Sequence, residues 1–304
     1  MYSYYAFALH IHSELAFPEL LTSSNSYPSD LTITWGEVSS TGIDSDHQSK
    51  GLFFQATHST LWLHVPKVAR FLVTNGNQIM IDPIEGADED SIRVFLLGSC
   101  MGALLMQRDL FLLHGNAIKI GDHCMSFVGH SGAGKSTLSG AFFKRGYSVL
   151  ADDVCAISPQ GQVIPSFPQI KLWFDAAKHL NIDTQSLRKI RPHIEKFAVP
   201  LAHQYHADAL PLKMVYVLQA NNKDTFKFTA ITGMQKLQPL RVNTFRRNYL
   251  RGLEKETSHF KQCAQIASQI NVVRIERPND GFKLDELVSL IQQDLMAREL
   301  HHAC

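Results

Sequence analysis

Residues 1–85 alternate between apolar and polar positions in short runs. LTITWGEV, LFFQATH, TLWLHV, ARFLVT and NQIMIDP bring an apolar side chain to roughly every second position, the period of a half-buried strand. Turn-forming stretches such as SSTGIDSD and TNGN separate them. The pattern predicts a small β-rich N-terminal lobe over residues 1–87. The acidic cluster Asp88-Glu89-Asp90-Ser91 then opens a long apolar stretch, and carboxylates there meet unpaired amides and the positive end of a helix. This predicts a helix over 88–110 that bridges the lobe to the rest of the chain.

From Phe111 the rhythm changes. FLLHGNAIKI and HCMSFVG are strand-like, a glycine-rich loop follows, STLSGAFFKRG has helical spacing, and YSVLA is strand-like again. Strands alternating with a helix predict an α/β (α+β) domain over 111–304. Residues 157–212 hold six of the twelve prolines (Pro159, Pro165, Pro168, Pro192, Pro200, Pro211), which predicts loops, with a helix only around Asp175 to Leu180. Beyond them, KMVYVLQ at 213–219 is a buried strand, FKFTAI at 226–231 its expected partner, and NVVRIER at 271–277 another strand. The closing LDELVSLIQQDLMAREL puts apolar residues at helical spacing, which predicts a helix packed on the core. No internal repeat is present.

Composition narrows the classes. At 304 residues and 45% hydrophobic content the chain can bury a full core, and a formal charge of +1 gives no general pull toward nucleic acid or a membrane surface. An anionic ligand must therefore be met locally. Five scattered cysteines without a CxxC pair favour free thiols in a reducing compartment, so a cytoplasmic location is expected. No leader-like segment opens the chain, and IRVFLLGSCMGALLM is too short for a comfortable membrane span. The adjacent histidines of the terminal HHAC receive no role.

The sharpest signal is GHSGAGKS at 129–136, which fits GxxxxGK[ST] in full, with MSFV running in and STLSGAFFKRG running out. Glycines let consecutive backbone amides converge on phosphate oxygens, so Gly129, His130, Ser131, Gly132, Ala133, Gly134, Lys135, Ser136 and Thr137 form the expected nucleotide cradle. Lys135 would reach the terminal phosphates and Ser136 would offer a hydroxyl to Mg²⁺. Asp152 and Asp153 follow YSVLA, at the strand end where ligands of open α/β sheets bind. Neighbouring carboxylates there can divide two tasks, ligating a metal and accepting a proton from an acceptor hydroxyl. His114, one strand upstream, could hydrogen-bond the acceptor, the γ-phosphate or an aspartate; a core histidine is the alternative.

Taken as one unit, LHGNAIKIGDHCMSFVGHSGAGKSTLSGAFFKRGYSVLADDVCAI resembles the catalytic domain of HPr kinase/phosphorylase, whose core is shared with ATP-type phosphoenolpyruvate carboxykinases. The resemblance rests on His114-Gly115, the SGAGKS loop, Lys144-Arg145-Gly146 and Leu150-Ala151-Asp152-Asp153. It implies a P-loop catalytic core using ATP and Mg²⁺, with Asp152 as base, Asp153 near the metal and His114 as the family histidine. The β-rich first lobe and the lack of an HPr-contacting loop depart from HPr kinase proper. Over most of the chain the segments ARFLVTNGNQIMIDP, PSFPQIKLWFD, EKFAVPL and LPLKMVYVL look like the HPr-kinase-related tailoring enzymes of lasso-peptide gene clusters. Those relatives phosphorylate a side-chain hydroxyl on the C-terminal residue of a precursor peptide, usually serine.

The expected activity is thus an ATP-dependent kinase acting on a peptide or small-protein hydroxyl. A C-terminal acceptor brings a free carboxylate, for which Lys171, Arg191 and Lys196 are the candidate cations. Three alternatives stay open: a small-molecule kinase of the shikimate or nucleotide-kinase type, an HPr-like protein serine kinase, and a nucleotide-binding regulatory protein without transfer. A homo-oligomer also stays open.

Overall fold

Alternation in the first part of the chain closes into one mixed sheet of nine strands lying between Tyr2 and Pro83. The computed structural model describes residues 1–24, 26–43, 49–50, 53–279 and 283–302, so part of the SSTGIDSD turn and the terminal Cys304 lie outside the described residues. At the centre Leu31–Trp35 runs parallel to Gln78–Pro83, which pairs antiparallel with Ala69–Thr74. Two further strands, Tyr2–Ala6 and Leu9–Ser13, pair as a hairpin. Its tip, Phe7-Ala8, has φ of 54° and 58°. Two successive positive φ values make the turn that hairpins prefer, here built without the usual Asn-Gly.

One face of this sheet buries Leu31, Ile33, Phe71, Val73, Ile79 and Ile81. The bridging helix covers it. Asp88 caps Glu89–Phe95 by accepting from the Ser91 amide at 2.7 Å, as the acidic cluster predicted. The helix is not continuous, however. It widens into a π turn over Leu96–Cys100 before resuming as Met101–Gln107, and the wide turn places Gly98 and Ser99 beside the cleft described below. Buried residues of the sheet, the bridging helix and the core elements Leu112, Phe167, Tyr249 and Leu250 form a single cluster. The Phe7 ring meets Phe167 edge-on at 6.1 Å, and the Phe7 amide donates to Pro165 O at 3.1 Å. The lobe is welded to the rest of the chain through apolar burial.

A second nine-stranded sheet carries the glycine loop, so the molecule is a mixed α/β protein. His123–Gly129 lies between antiparallel Ala117–Ile120 and parallel Leu210–Asn221. Asn271–Pro278 runs parallel to Leu210–Asn221 on the far side. The segment FKFTAI pairs with Asn271–Pro278 and not with 213–219 as expected, because both edges of that strand are already taken. FLLHGNAIKI also divides: Phe111–His114 pairs with Val154–Ile157, while Ala117–Ile120 pairs with the loop strand and with Val149–Ala151.

Residues 157–212 are more regular than their prolines predicted. Gln169–Trp173 and Lys196–Pro200 pair antiparallel, and the helix Phe174–His179 follows the first of them. Pro168 precedes one strand and Pro200 ends the other, positions where the missing N–H interrupts no ladder. The closing helix Leu284–His302 buries Leu287, Val288, Ile291 and Leu295 in the cluster that also holds Leu138 and Phe142 of the loop helix. Among the described residues no helix is long and apolar enough to cross a membrane, and the four described cysteines are free and buried.

Candidate active site

The strand His123–Gly129 delivers the glycine loop and the helix Lys135–Lys144 receives it. Gly129, Gly132 and Gly134 have φ of 149°, 81° and 99°. A Cβ on Gly129 would lie 2.7 Å from Leu218 O, so the strand end admits only glycine. Because the helix begins at Lys135, the amides of its first turn have no carbonyl partner within the helix and face the loop side. That combination of amides and positive dipole end suits an anion. The Lys135 ammonium donates to Gly129 O at 2.8 Å and His130 O at 3.2 Å. Burial lowers its pKa, against the opposing pull of Asp153 and Asp152.

Two residues outside the motif brace the loop. Arg277 donates to Ala133 O at 3.0 Å and Gly132 O at 3.4 Å. Asn116, fully buried, donates to Lys135 O at 3.0 Å and accepts from the Phe127 amide at 3.0 Å. It fixes the first helical residue against the strand that feeds the loop. Its neighbour Gly115 is needed for contact: a Cβ there would meet Phe127 O at 2.6 Å.

The two acids occupy a tight reversal between Val149–Ala151 and Val154–Ile157. The Val154 amide donates to Asp152 O at 2.9 Å, and Asp153 between them has φ of 72°. A bond spanning two residues around a central positive φ is the strained form of the γ-turn, and strain of this kind concentrates at functional sites. The carboxyls then diverge in environment. Asp152 is 6% exposed and accepts from the Lys171 amide at 2.9 Å through Oδ2. Burial raises its pKa and the Asp153 charge adds to the rise. For Asp153 burial also pushes upward, but Lys171, His114 and Lys196 outweigh it and hold the carboxyl at about 2. Lys171 Nζ lies 3.4 Å from its Oδ2. One acid is poised to take a proton and the other to stay ionised.

His114 stands at the end of Phe111–His114, opposite Val154. Its Nδ1 is 3.3 Å from Asp153 O and 3.3 Å from Asp153 Oδ1. Burial lowers its pKa and the Asp153 charge opposes the shift. The imidazole therefore holds the strained turn as well as facing the site.

Three hollows surround the loop. One of about 400 Å³ is lined by the loop, both aspartates, Trp173 and Lys196. A second, of about 510 Å³, shares His114, Ser131, Asp153 and Lys196 with it and runs on toward Phe95, Ser99 and Asn243–Arg246. The third, about 140 Å³, opens on the other flank of the loop beside Phe226 and Arg277. Of the three nominated cations, Lys171 is engaged with the aspartates and Lys196 stands where the two larger hollows join, its ammonium 5.7 Å from the Trp173 ring centre. Arg191 is turned onto the bridging helix, bonded to Ser91 Oγ at 3.2 Å and lying over Phe95. From the sequence, Arg246 stands out only with Arg247 and Arg251, as arginines that could cover the site of a small-molecule kinase; Asn116 and Arg277 carry no such signal. Asn116 sat in view within the HGN triplet; Arg277 ended a run read only as a strand.

The donor set suits Mg²⁺. Ser136 and Asp153 offer hard oxygens at one hollow, and among the described residues no group of three His, Cys, Asp or Glu side chains converges. A hard cation held by few protein oxygens needs phosphate oxygens to complete its shell, which is how Mg²⁺ is commonly bound.

No family model matches the chain, and no curated protein matches it. Among solved structures the chain is similar to the Hpr(Ser) kinase/phosphatase from Coxiella burnetii, with 14% identity over 63% of this chain and 94% of that chain. The TM-score is 0.29, too low for that likeness to bear on fold or chemistry.

Proposed function

We propose that the protein is an ATP-dependent phosphotransferase that moves the γ-phosphoryl group to a side-chain hydroxyl. One observation carries this: the amide cradle of the glycine loop and two adjacent carboxyls of opposite proton affinity line the same hollow, which opens into a second one large enough for an acceptor. The loop amides and Lys135 hold the triphosphate. Asp152 accepts the proton as the hydroxyl oxygen bonds to the γ-phosphorus and the bond to the departing diphosphate breaks. Asp153 and Ser136 supply the oxygens for Mg²⁺, which when bound would neutralise charge on the phosphates. His114 keeps Asp153 in its turn.

The acceptor we propose is the C-terminal serine of a precursor peptide. The resemblance to lasso-peptide tailoring enzymes supports this choice, and so does the cationic rim of the second hollow, where Lys196 and Arg246 stand. Mass spectrometry of candidate peptides after incubation with ATP and Mg²⁺ tests it: a single phosphate on the terminal serine is expected. Turnover of free polyols or nucleosides, with peptides left unmodified, would favour a small-molecule kinase instead.

A further inference from the structure

The second hollow has two ends. At the near end stand Asp153 and His114; at the far end stands Arg246. Between them lies the buried ring of Phe245, 5.7 Å from the His114 ring centre and 5.6 Å from the Arg246 guanidinium carbon. The Phe245 amide donates to Leu112 O at 2.9 Å, so this wall is fastened to the strand that presents His114. The spacing between the two ends is set by backbone as well as by side-chain contact.

Arg246 combines a rare backbone angle with an unengaged guanidinium. Its φ is 47°, a region L-residues with long side chains seldom enter, yet the residue is exposed and nothing about burial requires an arginine there. It also forms no ion pair with a described residue, while its own carbonyl accepts from Tyr249 N at 2.8 Å to close the turn. Of the other cations of this hollow, Lys171 neutralises Asp153, and Lys196 stands where the hollow meets the phosphate one, over the Trp173 ring. A guanidinium held in a strained turn above an apolar wall, and left without an anion, is a preorganised fork for a carboxylate.

We propose that Arg246 receives the chain-terminal carboxylate of a peptide acceptor while the hydroxyl of that same terminal residue lies at Asp152. This rests on the phosphotransfer reading above and names the feature the acceptor must carry: a carboxylate within one residue of the hydroxyl. The apolar side of the hollow, Phe95 and Val242, accommodates the preceding residue.

Steady-state kinetics with a synthetic peptide ending in serine, its C-terminal amide and free L-serine test the assignment on the full chain. For the wild-type protein the acid should be preferred over the amide by roughly 10- to 100-fold in KM, the range of a charge-assisted pair. In R246Q that preference should vanish through a rise in KM for the acid, with the KM for ATP unchanged, and R246K should recover part of it. R246G, which suits the positive φ, should lose the preference as R246Q does while keeping the thermal midpoint, which separates charge from backbone. Wild-type rates equal on acid and amide, or a preference that survives R246Q, would overturn the role of Arg246 while leaving the kinase intact. Better turnover of free serine than of the peptide would overturn the peptide source. Failure of the wild type to phosphorylate any acceptor, with ATP bound, would remove the underlying phosphotransfer reading.

Discussion

The two sides of the proposed site are built from different materials. The nucleotide side is mostly backbone: amides of the glycine loop, the first turn of one helix, and a strained turn whose φ orients Asp153. Its fastening is short-range, with Asn116, Gly115 and His114 consecutive in sequence. The acceptor side is mostly side chain. Its walls come from Phe95–Ser99, from Lys171 and Lys196, and from Asn243–Arg246, segments that meet only after folding. Backbone geometry preorganises one ligand of fixed shape, whereas side chains on separate elements can be exchanged one at a time to admit a different acceptor.

The sharpest way to break this division is Asp152→Asn. Asparagine keeps an oxygen for the Lys171 amide but has no proton affinity to offer. We expect kcat to fall by about 10²–10⁴-fold, the usual contribution of a general base, with nucleotide affinity retained. Isothermal titration with an ATP analogue beside a radiolabel transfer assay measures both. Equal loss of binding and turnover would mean that the acid serves the nucleotide side only.

Protonation probes the acceptor wall. His259 is buried, stacks on Phe111 and lies 2.9 Å from Thr244 Oγ1. The Thr244 hydroxyl spends its single proton on Leu240 O, so His259 Nε2 is the donor of the bond between them. Burial, with Arg241 and Arg247 pushing the same way, lowers its pKa from 6.5 to about 4. The unfolded chain therefore binds a proton that the native protein refuses. Stability is complete above pH 6.5 and falls as pH drops toward 4, by up to about 3 kcal/mol. Urea unfolding at pH 7 and pH 5 should show this loss, and His259→Gln should flatten the slope. Because Thr244 belongs to the acceptor wall, acceptor KM should rise at pH 5 before the KM for ATP does.

Asn116→Ala acts on the opposite side. It strands Lys135 O and the Phe127 amide inside the protein, at about 2 kcal/mol in stability by the usual penalty for unpaired buried groups. The KM for ATP should rise while the acceptor preference of acid over amide stays as in the wild type. A variant that disturbed both equally would show that the two sides are one mechanical unit.

What could be read from the sequence follows the same division. The loop, the acids and the strands around them are contiguous, and their geometry demands particular residues at fixed spacing: glycine at Gly129, small and polar residues at Gly115 and Asn116. TNGN announced its turn for the same reason, since Asn75 and Gly76 both take positive φ. The Phe7-Ala8 turn does likewise without either residue type, and its hairpin was not foreseen. Strand pairing escaped local patterns too, because FKFTAI found its partner only once both edges of Leu210–Asn221 were filled. Arg246 reads in the sequence only as part of an arginine pair; its place in the hollow comes from a backbone angle and from walls contributed by separate segments of the chain.

Arg191 gives the smallest expected effect and the cleanest contrast with Arg246. Sequence placed it among the acceptor cations, yet its guanidinium is bonded to Ser91 and rests 5.3 Å from the Phe95 ring centre, on the bridging helix. Removing it takes away one hydrogen bond and one stacking contact at a partly exposed position, each on the order of 1 kcal/mol or less. Arg191→Ala should therefore lower the thermal midpoint slightly and change acceptor KM by less than about 3-fold, without altering the preference for acid over amide. Its one route to the site is indirect, through Phe95 in the wall of the hollow. A tenfold loss confined to the acid peptide would move the carboxylate from the far wall to the bridging helix, and the acceptor would then lie across the hollow instead of along it.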